Sequence, residues 1–222
     1  MTARVGVVTF PGSLDDTQVR RAVGVGAVAL WHASDSLAQV SAVILPGGLS
    51  SRRLLEKGAI SRYAPILVEI VRHARRGLPV LGIGHGFHML CETGLLPGGL
   101  TQADNGPFTC RDEVFRVASI DTVWTLDFWP NEQISLQIKP GEGRYTADAE
   151  TLCVLEERNQ IVLRYDRAAS DGPDREVAGV TNAGGNVVGV IPHPEEAAGG
   201  YASDGGRVFT GVQRFLRALQ PA

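Results

Sequence analysis

Residues 78–90 read Leu78-Pro79-Val80-Leu81-Gly82-Ile83-Gly84-His85-Gly86-Phe87-His88-Met89-Leu90. Val80, Leu81 and Ile83 give the apolar run of a short buried strand. Gly82, Gly84 and Gly86 allow a tight turn whose backbone can take positive φ. A helix is predicted from His85 to about Glu92, stopped at Gly94. A strand, a sharp turn of small residues and a helix make the layout of a nucleophile elbow. In it one side chain stands at the top of a sheet, beside a helix N-terminus that favours negative charge. The central position here is Gly84, so the elbow is present without a nucleophile.

Upstream of this stretch, residues 5–10 form a first strand, stopped by Pro11-Gly12. Ser13 or Asp15-Asp16 can cap a helix reaching about residue 25. Residues 27–31 are a second strand and 37–40 a short helix or turn. Residues 41–45 are a third strand ending at Pro46-Gly47-Gly48, a turn that exposes backbone N–H groups. Helices are predicted over 54–58 and 63–76, the latter with Ile66, Leu67, Ile70, Val71 and Ala74 on one face. Strands alternating with helices predict an α/β fold with a mostly parallel central sheet flanked by helices. Such sheets bind ligands outside the carboxyl ends of their strands, which gathers Gly48, Gly84 and His85 there.

Downstream, residues 108–117, 134–138, 152–155 and 161–165 read as strands of an antiparallel β extension. Gly141-Glu142-Gly143 turns between two of them, and 168–176 is a polar surface loop. Residues 177–181 and 187–191 return to the core through a hairpin at 182–186. Pro192-His193-Pro194-Glu195 follows a strand end, and 208–219 is a terminal amphipathic helix.

A chain of 222 residues without repeats reads as one domain over 1–222. Its net charge of −3 gives no support to a nucleic-acid or polybasic membrane role. Three well-separated cysteines, Cys91, Cys110 and Cys153, make neither a CxxC motif nor a disulfide framework. With no signal peptide and no apolar run long enough for a membrane span, a cytoplasmic location is expected.

The motifs Val7-Val8-Thr9-Phe10-Pro11-Gly12-Ser13, Pro46-Gly47-Gly48, Gly58-Ala59-Ile60, the elbow, Phe108-Thr109-Cys110, Gly141-Glu142-Gly143-Arg144-Tyr145 and Pro192-His193-Pro194-Glu195 are specific in their order and spacing. In them the chain resembles the class I (triad-type) glutamine amidotransferases, most closely the glutaminase subunits of phosphoribosylformylglycinamidine synthase. The resemblance spans nearly the whole length and implies a flavodoxin-like sheet. It also implies a role in purine biosynthesis and an ATP-dependent synthetase partner. In that family an elbow cysteine attacks the carboxamide of glutamine and releases ammonia. The resemblance places the activating histidine and glutamate at His193 and Glu195, and oxyanion-stabilising backbone N–H groups at Gly48 and His85.

The departures from the family fall at the decisive places. Its Cys-Asn-Gly-Phe-Gln is Gly84-His85-Gly86-Phe87-His88 here, and its Ser-Tyr-Gly-Asp-Tyr loop is Ser50-Ser51-Arg52-Arg53-Leu54. Cys91 lies about two helical turns beyond Gly84 and reads as a core residue. His85 and His88, as i,i+3 neighbours, can converge with His193 and Glu195. That gives a candidate site for zinc or another divalent transition metal on His85, His88 and His193, whose bound water would replace the nucleophile. Without metal, His88 or His193 is a general acid or base. In the plainer reading, His85 faces solvent, His88 fills space and His193-Glu195 is a relic. Arg52 and Arg53 are either a solvated face or a substrate-binding pair for a carboxylate or phosphate. Three functions stay open: a repurposed hydrolase or lyase acting on a small amide- or C–N-containing metabolite, a non-catalytic subunit that binds or regulates a synthetase, and a nucleophile-deleted form of an ordinary glutaminase.

Overall fold

A computed structural model describes residues 3–48, 64–101, 110–139, 144–166, 176–200 and 202–219. The expected helix at 54–58, the residues Arg52 and Arg53, the start of the 108–117 strand, the 141–143 turn and nearly all of the 168–176 loop lie outside these residues.

Strands β1 (Val5–Thr9), β2 (Ala27–Trp31), β3 (Ala42–Leu45) and β4 (Val80–Ile83) alternate with helices α1 (Asp16–Val23) and α2 (Pro65–Ala74). After β4 come α3 (His85–Glu92), β5 (Gly99–Thr101), β6 (Arg111–Val117), β7 (Gln133–Ile138) and β8 (Arg144–Thr146). The chain continues through α4 (Ala149–Glu157), β9 (Ile161–Tyr165), β10 (Val177–Thr181), β11 (Val187–Val190) and α5 (Asp204–Ala218). The main sheet has the order β2-β1-β3-β4-β11-β10-β9-β6-β7. Its β2 to β11 half is parallel. From β10 onward the pairing is antiparallel. The expected α/β architecture with an antiparallel extension is the one observed.

Period-two alternation sends successive side chains to opposite faces of this sheet. Val8, Val43, Leu45 and Val80 pack with Ile66, Leu67, Ile70, Phe87 and Leu90 of α2 and α3. Val5, Val7, Ile44, Leu81 and Ile83 pack with Val19, Val23, Phe209, Val212 and Leu216 of α1 and α5. The parallel strands are therefore buried on both faces, which is why they read as almost unbroken apolar runs.

The structure corrects the sequence reading in three places. Residues 152–155 are helical, not extended: Asp148 caps α4 by accepting from the Thr151 amide at 2.7 Å, and Leu152 and Leu155 share the buried face. A four-residue apolar run cannot by itself separate the two states. Residues 37–40, expected as a short helix or turn, form the turn, with Ala38 and Gln39 at positive φ, and need no correction. Helix α5 begins at Asp204, earlier than expected, because Gly205 and Gly206 are helical. A Cβ on Gly205 would fall 2.0 Å from the Pro194 carbonyl oxygen, so the pair reflects close approach to the loop after β11, not a break. The small β5–β8 sheet was not anticipated. It holds Tyr145, fully buried and stacked on Phe87 at 5.7 Å, with its hydroxyl donating to the Pro97 carbonyl.

Candidate functional site

The carboxyl ends of β1, β3, β4 and β11 meet where the strand order reverses about β1, the usual ligand position in such sheets. Gly84 caps α3 with φ 50° and ψ −108°, a conformation costly for any residue with a Cβ. Its amide donates to the Val190 carbonyl at 2.8 Å, and its carbonyl accepts from the His88 amide at 3.1 Å. The turn is thereby pinned to β11 on one side and to the helix on the other. A Cβ on Gly86 would lie 2.0 Å from the Leu45 carbonyl oxygen, so α3 presses directly on the end of β3. The elbow expected from sequence is present in full backbone detail.

Beyond β11 the chain carries His193 into the interior. Its amide donates to the Gln137 carbonyl at 2.8 Å, and the residue is wholly buried. Nδ1 donates to Glu195 Oε1 at 2.7 Å, and Asp15 Oδ2 lies 3.5 Å from the same nitrogen. Lys139 reaches Asp15 Oδ1 at 2.8 Å and Glu196 Oε1 at 2.7 Å. Gln18 donates to the other Glu196 oxygen at 3.3 Å. Burial by itself would lower the Lys139 pKa. The hydrogen bonds to Asp15 and Glu196, with the charges of Asp15 and Glu195, outweigh it and hold the ammonium above its ordinary value.

Of the residues singled out by sequence, His193 and Glu195 come together as the resemblance implied. His85 is the first residue of α3 and is partly buried. His88 turns along its own helix, with Nε2 3.3 Å from Glu92 Oε1. Gly48 takes φ 67°, and a Cβ there would lie 2.4 Å from the Asp15 carboxylate carbon. Among the described residues, the potential metal donors that gather within 4.8 Å of one another are Asp15, His193 and Glu195. The fold does not assemble the expected donor set of His85, His88 and His193. Sharing a helix face does not aim two side chains at a third residue on another element, and His88 finds its partner locally.

Sequence reasoning missed Asp15, Lys139 and Glu196. Asp15 was read as a helix cap, yet its side chain makes no capping hydrogen bond. Its neighbour Asp16 does local work, accepting from Thr9 Oγ1 at 2.8 Å and pairing with Arg20. One signal was available: Lys139 is one of only two lysines in a chain otherwise rich in arginine, and it directly follows the alternating strand Gln133–Ile138.

None of the three cysteines stands at the elbow apex. Cys91 Sγ lies 3.8 Å from the Pro97 carbonyl, and burial, aided by the charge of Glu92, pushes its thiol up to about 12. Cys110 and Cys153 are exposed. Cys91 is thus held as a neutral thiol, unsuited to nucleophilic attack.

An α/β sheet with an elbow at β4 and a buried histidine–glutamate pair after β11 is the frame of a triad-type amidotransferase. The chain belongs to the CobB/CobQ-like glutamine amidotransferase domain family, whose profile matches residues 3–204. It is 49% identical over 218 residues to the phosphoribosylformylglycinamidine synthase subunit PurQ of Nocardia farcinica, covering 96% of this chain and 97% of that one. It is 46% identical over 223 residues to PurQ of Streptomyces coelicolor, covering 97% and 99%. Among solved structures, a chain of PurLQS from Thermotoga maritima superposes with a TM-score of 0.83 at 35% identity, covering 97% of this chain and all of that one. A glutamine amidotransferase from Thermotoga maritima shares the fold, with a TM-score of 0.58 at 19% identity, covering 88% of this chain and 77% of that one. Among the described residues, no helix is long and apolar enough to cross a membrane.

Proposed function

We propose that this chain is the amidotransferase-like subunit of a phosphoribosylformylglycinamidine synthase complex and does not itself release ammonia from glutamine through a thiol. The relatives that resemble it over nearly their whole length carry the synthase name, and the PurLQS structure contains a chain of the same fold. The observation that carries the second half is Gly84 at the apex of an otherwise complete elbow. Amide hydrolysis of this type needs a nucleophile at that apex, a base to activate it and donors for the oxyanion. His193 and Glu195 supply only the activating part. Losing the nucleophile of a comparable triad costs about six orders of magnitude in kcat. Hydrolase or lyase chemistry in a histidine-lined pocket lacks its assembled groups, since His88 pairs with Glu92.

The test is reconstitution with the synthetase partner, assayed for ATP-dependent product formation with ammonia or with glutamine as nitrogen donor. A stable complex active with ammonia and at least about 10⁴-fold slower with glutamine is expected. Glutamine turnover at the rate of a cysteine-bearing relative, or failure to bind the synthetase, would overturn the reading. Restoring glutamine use with Gly84→Cys would show that the rest of the old site is intact.

A further inference from the structure

The geometry points to a divalent transition-metal site built from Asp15, His193 and Glu195, at the junction of the loop after β1 with the loop after β11. The ligand atoms of the three residues lie within 4.8 Å of one another, and all three residues are buried. Two oxygens of this group, Asp15 Oδ2 and Glu195 Oε2, are buried and make no hydrogen bond. A carboxylate oxygen withdrawn from water without a partner is expensive, so two at one place call for a cation.

The spacing agrees for one pair. Ligands about 2.1 Å from a tetrahedral ion stand about 3.4 Å apart; Asp15 Oδ2 is 3.5 Å from His193 Nδ1, whereas Glu195 Oε1, at 2.7 Å from that nitrogen, must draw back for an ion to enter. Charge agrees as well. Among the described residues, Asp15, Glu195 and Glu196 face the ammonium of Lys139, an excess of negative charge that a divalent ion would offset. Lys139 binds Asp15 through Oδ1 and leaves Oδ2 turned toward His193, as outer groups orient the ligands of metal sites. One nitrogen and carboxylate oxygens suit zinc and its first-row neighbours, not calcium or magnesium. The ion would clamp the N-terminal end of α1 to the β11 loop. This inference does not depend on a synthetase partner.

The His193–Glu195 separation of 2.7 Å is a hydrogen bond. An ion on Nδ1 must displace that proton, so uptake releases about one proton and weakens as pH falls. The experiment uses the full chain without an affinity tag, stripped by chelation and titrated with Zn²⁺ by calorimetry and with Co²⁺ by visible absorption. One equivalent is expected to bind, with proton release and a raised Tm. Asp15→Asn should weaken binding by at least about tenfold, the range that loss of an outer-shell partner already reaches. His88→Ala should leave binding unchanged. The ¹⁵N resonances of His193 in the unaltered chain give a readout that needs no variant, since Nδ1 should lose its proton on saturation with Zn²⁺. Absence of one-to-one binding, binding lost in His88→Ala but kept in Asp15→Asn, or a His193 Nδ1 proton that persists at saturating Zn²⁺ would each overturn the site.

Discussion

The elbow after β4 and the loop after β11 are neighbours on adjacent parallel strands, with Ile83 opposite Val190. The first is a backbone turn with a glycine, Gly84, at its apex. The second holds a buried histidine–glutamate pair surrounded by further charges: Asp15, Lys139 and Glu196. The elbow is held by close packing of α3 on β3, by the stacking of Phe87 on Tyr145, and by hydrogen bonds from and to Gly84. None of these contacts needs a side chain at Gly84. The β11 loop is held by charges that must each find a partner, because burying one alone is costly. Packing can hold the shape of a turn whatever side chain stands at its apex, whereas buried charge persists only while it is balanced.

Three measurements break or sharpen this contrast. If packing holds the elbow, Phe87→Ala should destabilise the chain by about 3–5 kcal/mol in urea unfolding, as loss of a fully buried aromatic ring does. A cost below about 1 kcal/mol would mean the elbow is held some other way. Gly84→Ala should cost about 1–3 kcal/mol, because φ 50° with ψ −108° strains any residue with a Cβ. A neutral result would mean that glycine does not relieve this turn.

The smallest effect belongs to the charged loop and depends on pH. The Lys139 pKa is higher in the folded chain than in the unfolded one. Its contribution to stability is therefore complete below the unfolded value of about 10.4 and is lost as pH rises through the folded value. The urea midpoint should fall on that alkaline side, and Lys139→Met should lack this component. Cys91 and Tyr145, both raised by burial, titrate on the same side in both proteins, so the difference between the two profiles reports Lys139. An unchanged alkaline profile in Lys139→Met would show that the ammonium does not stabilise the loop.

Features that depend on neighbours in sequence were legible. Val80 to Ile83, with alternating glycines at Gly82, Gly84 and Gly86, gave the elbow, and the structure has it with α3 over the expected residues. His193 and Glu195, two residues apart, pair as the resemblance implied. The short run at 152–155 misled because its apolar spacing fits either state, and the cap at Asp148 decided it. Gly205 and Gly206 misled because glycine reads as a breaker until a close neighbour explains it.

The sequence by itself determined the alternation of strands and helices, the place of the elbow and the absence of a nucleophile at its apex. Each rests on local periodicity or on the identity of one residue. Only the tertiary structure decided that His88 pairs within its own helix, and that Asp15, Lys139 and Glu196 gather around His193. Those residues come from the start of α1, the end of β7 and the loop after β11. What brings them together is the pairing order of the sheet and the cost of leaving a buried charge unmatched, neither of which appears in any short stretch of the chain.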